Sequence, residues 1–314
     1  MKNKKKKLLI TVLIALILIA AIISLGYRFN FKNYNKLTLE ENKWIDQNKY
    51  DVVDVAILND IPVLSYDGEG IVYNYLDYIT KNHSLKFNVI PYKLDGNVEY
   101  NYKMSVVDKV SKNDIKLLKD NLVLLTTNDI QYTDVKEINN LRIGILSSDK
   151  ELISNYLDND TITFVEYNNY NELKNSIIDA KSKLDTEQLG NVDAIIILKT
   201  TVVKEIIEND INIAYHFNDL NKYFVLHANG DKELNSILQK SFNSWNLEHF
   251  EEEYNQEILN NYYKFKQLSD VEQKTLKSKS YVYGFINFGI YNYIDNNKLS
   301  GINGVILKEF NKNR

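Results

Sequence analysis

A stretch near the start of this chain is written twice. Residues 37–79 open LTLEENKWIDQNKY, pass through a hydrophobic run and end IPVLSYDGEGIVYNYLDYI; residues 268–310 open LSDVEQKTLKSKSY and end IYNYIDNNKLSGINGVILKEF. One register relates them throughout: Leu37 matches Leu268, Thr38 Ser269, Glu41 Glu272, Tyr50 Tyr281 and Gly70 Gly301. Thr38 and Glu41, like Ser269 and Glu272, have the spacing of a capping box, in which hydroxyl and carboxylate each accept an otherwise unpaired amide proton. A capped helix, strand, loop and helix that begin twice imply two copies of one kind of domain. The expected division is a Lys-rich head and anchor (1–26), a linker (27–36), a two-lobed domain (37–266) and the truncated start of a second (267–314).

Leu8 to Leu25 carries no charged residue and would span ~27 Å as a helix, enough to cross a bilayer. Lys2 and Lys4–Lys7 flank it on the N-terminal side, which predicts a cytoplasmic N-terminus and a chain lying outside the membrane beyond Gly26. The competing reading is a cleaved signal peptide, for which Ser24-Leu25-Gly26 is a weak cleavage site. Export has the same direction in both. Because the head holds those five lysines, the rest of the chain is more acidic than the net charge of −4 indicates. The arginines are Arg28, Arg142 and Arg314. Such a body lacks the basic surface that binds phosphate backbones, so nucleic acid is excluded as a partner. Cysteine is absent, which removes disulfides, thiolate metal sites and a lipid-attachment cysteine.

Hydrophobic periodicity then gives an alternating α/β order. Strands are expected at 51–58, 85–91, 121–126, 141–146, 161–167, 192–198, 211–216 and 223–227. Helices are expected at 72–81, 114–118, from Ser147 or Ser148 to 157, and at 170–184, 200–207, 231–245 and 248–263. In the 231–245 segment Leu234, Ile237, Leu238 and Phe242 recur at helical spacing. Trp44 and Trp245 read as packing residues, and Glu251-Glu252-Glu253 as a solvated helix face. No Pro- or Gly-rich linker separates these runs, so two lobes crossed by continuous chain fit better than separate beads.

The capped opening helix, the Pro62–Gly70 loop, LRIGILSS, Val192-Asp193-Ala194 and the closing NKYFVLHANGDKELNSILQKSFNSW resemble, in order and spacing, the family 3 bacterial extracellular solute-binding proteins. These are the periplasmic amino-acid-binding type, found also as tandem domains on membrane-anchored sensors. The resemblance covers nearly all of 37–266. It implies an α/β, two-lobed periplasmic-binding-protein-like fold with crossing strands, here preceded by one N-terminal transmembrane helix, with ligand held in the cleft and closure about a hinge. Lobe one would comprise about 50–124 and 212–265, lobe two about 130–208.

On the same resemblance the ligand-facing turns supply Ser65, Tyr66 and Asp67 in lobe one and Ser147 and Ser148 in lobe two. The alternative reading is an ordinary turn for the first three and helix capping for the serines. The family's usual anchors for an α-amino acid are missing: no arginine stands between Arg28 and Arg142, and Ile197, Leu198 and Lys199 occupy the positions of the acid that holds the ammonium. Asp149 in a first helical turn would compete with an anion there. Asp193 reads as a structural acid at a strand end. His83, His216, His227 and His249 lack metal-ligand spacing, and no nucleophile elbow or phosphate loop occurs. No enzyme activity, cofactor or metal is therefore expected. The partners expected are a small-molecule ligand of unassigned identity or none, the membrane through Leu8–Leu25, and a signalling output domain beyond residue 314. The function expected is a sensory solute-binding domain; the alternatives are the substrate-binding component of an uptake transporter and a non-binding spacer.

Overall fold

The computed structural model of the protein describes residues 35–184 and 191–279, together with 293–295, 298–300 and 307. The apolar run Leu8–Leu25 lies outside them, as does most of the second copy. Among the described residues no helix is long and apolar enough to cross a membrane.

The first helix, α1 (Leu39–Asn48), starts on the expected capping box: the Glu41 amide donates to Thr38 Oγ1 at 3.2 Å and the Thr38 amide to Glu41 Oε2 at 2.6 Å. β1 (Val52–Leu58) follows, its last four residues sealed from water. A short ladder of β2 (Asp60–Ile61) with β3 (Ser65–Tyr66) leads to Gly70, which turns the chain into α2 (Ile71–His83) at φ +116°. A Cβ at residue 70 would lie 2.7 Å from the Leu64 carbonyl oxygen, so only glycine makes this entry without strain. β4 (Lys86–Tyr92) and β5 (Tyr102–Val107) lie on either side of β1, both parallel to it. The main elements that follow, up to Ser278, are β6 (Asp114–Thr126), β7 (Arg142–Leu146), α3 (Lys150–Leu157), β8 (Thr163–Tyr167), α4 (Tyr170–Leu184), β9 (Ala194–Leu198), α5 (Val203–Asn209), β10 (Asn212–Ala228), α6 (Lys232–Glu248), α7 (Phe250–Phe265) and α8 (Asp270–Ser278).

Eight strands form one sheet in the order β4-β1-β5-β10-β6-β9-β7-β8. Lobe one is the β4-β1-β5 end and lobe two the β9-β7-β8 end, and the antiparallel pair β6 and β10 runs through both. Asp114–Asn121 pairs with the second half of β10 beside β5, whereas Leu122–Thr126 pairs with β9. At the crossing, Phe217–Leu220 leave the ladder between His216, opposite Val123, and Asn221, opposite Asn121.

Burial on both faces explains the apolar runs of the central strands. Val123, Leu125, Ile195 and Ile197 meet Leu173 and Ile177 of α4, while Leu122, Leu124, Ile196 and Leu198 face the other core. In lobe one the fully buried Trp245 lies 5.7 Å from the ring of Tyr75 and 5.8 Å from that of Phe250. Trp44 packs half-buried against the same core.

Three expectations change. Asp114–Leu118 is the first half of β6, not a helix, because the ladder with β10 claims its backbone and buries Ile115 and Leu117. The segments 211–216 and 223–227 are one strand interrupted by the Phe217–Leu220 excursion. Neither Ser147 nor Ser148 caps a helix with its side chain: a 3-10 turn, Ser147–Asp149, intervenes before α3.

Candidate ligand cleft between the lobes

A cavity of about 560 Å³ lies between the lobes. Its lobe-one wall is the chain leaving β1 and β4: Asn59, Asp60 and Pro62, then Tyr66 and Asp67, then Lys93, Leu94 and Asp95. Its lobe-two wall is the first turn of α4 with Lys174, and Thr201, Lys204 and Glu205 at the entrance to α5. Both walls are assembled from strand ends and helix starts, where backbone amides and short polar side chains collect.

Asn59 braces the lobe-one loop, its side-chain oxygen accepting from the Gly68 amide at 2.8 Å and the Tyr73 hydroxyl at 3.0 Å. The Asp60 carboxylate accepts the Leu94 amide with both oxygens, at 3.0 and 3.1 Å. Burial pushes this carboxyl above its ordinary range, while the Leu94 amide and the charge of Lys174 oppose the shift. Opposite it, Lys174 Nζ is 3.2 Å from Glu205 Oε1, both side chains being largely buried. The second Glu205 oxygen is buried with no hydrogen-bond partner among the described residues. Burial, together with the charges of Asp149, Asp95 and other acids, pushes the Tyr170 hydroxyl well above its ordinary pKa.

Two contacts cross between the lobes at the cavity. Asp95 accepts the amides of Tyr170 and Asn171, at 2.8 and 2.9 Å, so a lobe-one carboxylate sits on the N-terminus of α4. The ammonium of Lys204 in lobe two stands 5.8 Å from the centre of the Tyr66 ring in lobe one. Tyr66 also carries Lys264 at 5.2 Å and meets Phe265 edge-on at 5.3 Å. Behind the cavity, Lys222 on β10 holds Asp149 at 2.5 Å and Asp108 at 3.2 Å. The Asp120 carboxylate of β6 accepts the Thr200 amide at 2.8 Å.

The residues expected from sequence separate. Tyr66 and Asp67 line the cavity. Ser65 is fully buried, with its hydroxyl 3.6 Å from the Met104 sulfur. Ser147 donates to the Tyr167 carbonyl at 3.2 Å, and Ser148 lies 3.4 Å from the Asp149 carboxylate; neither is among the residues lining the cavity. Asp193 holds Arg142, accepting its amide at 2.8 Å and a guanidinium nitrogen at 3.4 Å. Sequence reasoning did not single out Asp60, Asp95, Lys174, Lys204, Glu205 or Lys222. Asp60, directly after a buried strand, was accessible from position alone. Asp95 reads as one more Asp-Gly turn until α4 is brought against it.

Among solved structures the chain is similar to the VFT2 domain of BvgS from Bordetella pertussis, seen as a double mutant (TM-score 0.53, 16% identity, covering 72% of this chain and 98% of that one). The same periplasmic domain without that pair of changes gives a TM-score of 0.51 at 16% identity, covering 72% of this chain and 98% of that one. The fold is that of a Venus flytrap domain. Against the B. pertussis BvgS periplasmic domain the TM-score is 0.51 at 16% identity, and the match covers 77% of this chain and 47% of that one, so the flytrap seen here spans about half of that longer structure. No family model matches the chain, and no curated protein matches it.

Proposed function

We propose that this chain is the extracellular solute-binding domain of a membrane-anchored bacterial sensor, and that the cavity between its lobes takes a small ligand other than a free α-amino acid. The observation that carries the second half is the internal filling of the anion-binding positions. A ligand carboxylate would need a helix N-terminus or a cation. At the entrance to α3 stands Asp149, already paired with Lys222, and the first amides of α4 are taken by Asp95. Of the three cavity lysines, Lys174 is paired with Glu205 at 3.2 Å and Lys204 stands over the Tyr66 ring with Glu208 at 4.0 Å, while Lys93 sits exposed on the lobe-one wall. Asp60, which lines the cavity, is left to meet a ligand, which favours an amine or a neutral hydrogen-bond donor without a carboxylate.

The sensor half rests on three supports: the basic-flanked apolar run at Leu8–Leu25, the repeat that restarts at Leu268, and the likeness in fold to periplasmic flytrap domains. Tyr66 and Asp67 are the sequence-derived residues proposed to touch ligand; Ser65, Ser147 and Ser148 would act behind them.

Thermal-shift screening of the purified protein against α-amino acids, diamines and neutral polyols tests the ligand class, since a ligand that binds only the folded state raises the melting temperature. Stabilisation by a diamine or polyol that disappears in Asp60→Asn supports the reading, and stabilisation by a common α-amino acid overturns it. N-terminal sequencing of protein isolated from membranes tests the anchor. A mature chain that begins at Tyr27 replaces the anchor with a cleaved leader.

A further inference from the structure

The pairing of Asp95 with α4 is built from rigid parts on both sides. In lobe one, the turn that carries Asp95 is closed by the Gly96 amide on the Lys93 carbonyl at 2.8 Å, and the neighbouring Leu94 amide is fixed on Asp60. In lobe two, the first-turn amides of a 15-residue helix offer the donors. Asn169 takes the Glu172 amide at 2.8 Å, leaving those of Tyr170 and Asn171 for Asp95. Each carboxylate oxygen receives one amide. Opening the lobes separates this charge from two aligned donors and from the positive end of α4.

We infer that Asp95 is a latch that holds the lobes closed with no ligand between them. The resting state of the domain is then the closed one. A ligand shifts an equilibrium only through its different affinities for the two states. If the cavity is the ligand site, as proposed above, a solute entering it is read out by what it does to an already closed cleft, either tightening it or prising Asp95 from α4.

The chain contains no cysteine, so spin labels can be placed cleanly by Asn82→Cys on α2 of lobe one and Asn155→Cys on α3 of lobe two, both exposed. Distances between the labels are measured by pulsed electron resonance on the full chain in detergent, with no ligand added. The expected result is one short distance population in the parent, with a longer population gained in Asp95→Ala and in Asn171→Pro. The proline removes one of the two donors within the first helical turn, where helices tolerate it. The closed-to-open ratio should fall by roughly an order of magnitude in Asp95→Ala, and Asp95→Asn, which keeps an acceptor without the charge, should fall between it and the parent. Melting curves confirm that each variant is folded, and Asp95→Asn carries the test if Asp95→Ala is not. A parent that is open without ligand, or folded variants with the parent's distances, overturns the latch. Because no ligand enters the measurement, its outcome is independent of the ligand screen.

Discussion

Lys222 and Asp149 meet behind the cleft with 2.5 Å between ammonium and carboxylate, and only about a tenth or less of either side chain reaches solvent, 10% and 7% respectively. Lys222 belongs to a strand that crosses between the lobes and Asp149 to the start of a lobe-two helix, so the pair ties the crossing strand to lobe two. Asp108, at 3.2 Å on the lobe-one side, is 76% exposed and adds little. Lys222→Met should therefore leave the Asp149 charge stranded and cost about 3 kcal/mol in urea unfolding. Replacing both, as Lys222→Met with Asp149→Leu, should recover most of that loss. A single variant as stable as the parent would show that the pair is open to water in solution.

Gly70→Ala should cost about 2–3 kcal/mol, since φ +116° and a Cβ 2.7 Å from the Leu64 oxygen leave no room for relief without moving the β3–α2 turn. Gly68, with open space around its own site, should tolerate Ala better despite φ +82°. Thermal melts of the two variants side by side check the ordering.

The hydroxyl of Tyr75 donates to the Leu238 carbonyl at 2.7 Å from a fully buried position, linking α2 to α6. Tyr75→Phe should lose about 1 kcal/mol. Trp245→Ala, which empties the space between Tyr75, Phe242 and Phe250, should lose about 3–5 kcal/mol. Equilibrium denaturation with both tryptophan fluorescence and circular dichroism distinguishes these losses from a change in unfolding mechanism.

Acid should act through Glu41. Burial alone would raise its carboxyl, but hydrogen bonds from Lys240, Ser236 and the Thr38 amide, with the charge of Lys240, outweigh burial and hold it below 4.5. A folded pKa below the unfolded one stabilises the native state above the unfolded value, and the contribution vanishes as pH falls through the folded value. The stability difference between the parent and Glu41→Gln should thus be constant near neutrality and shrink below about pH 4.5. A difference that persists unchanged to pH 2 would assign the effect of the substitution to packing.

Elements that declare themselves locally were legible in the sequence. The capping boxes at Thr38 and Ser269, the amphipathic spacing of Leu234, Ile237, Leu238 and Phe242, and the apolar Val192–Leu198 segment each carry their own periodicity or cap, and each forms the expected element. Asp114–Leu118 did not, because what makes it a strand is a ladder with residues on β10 that no local window contains. The cleft was legible only where it coincides with a turn, at Tyr66 and Asp67. Asp95 and Lys222 become special through amides and a carboxylate brought to them by the closing of the chain, and nothing in their own neighbourhoods records those partners.

Tyr66 also borders a second cavity, of about 730 Å³, formed with α7, Gln267, Leu268 and Gln273 at the junction with the repeated segment. One ring thus forms part of the wall of two compartments, with Lys204 of lobe two at 5.8 Å and Lys264 of α7 at 5.2 Å. The ring is a partition shared by the cavity between the lobes and the one beside the start of the repeated segment, so a substitution at Tyr66 alters a wall of both.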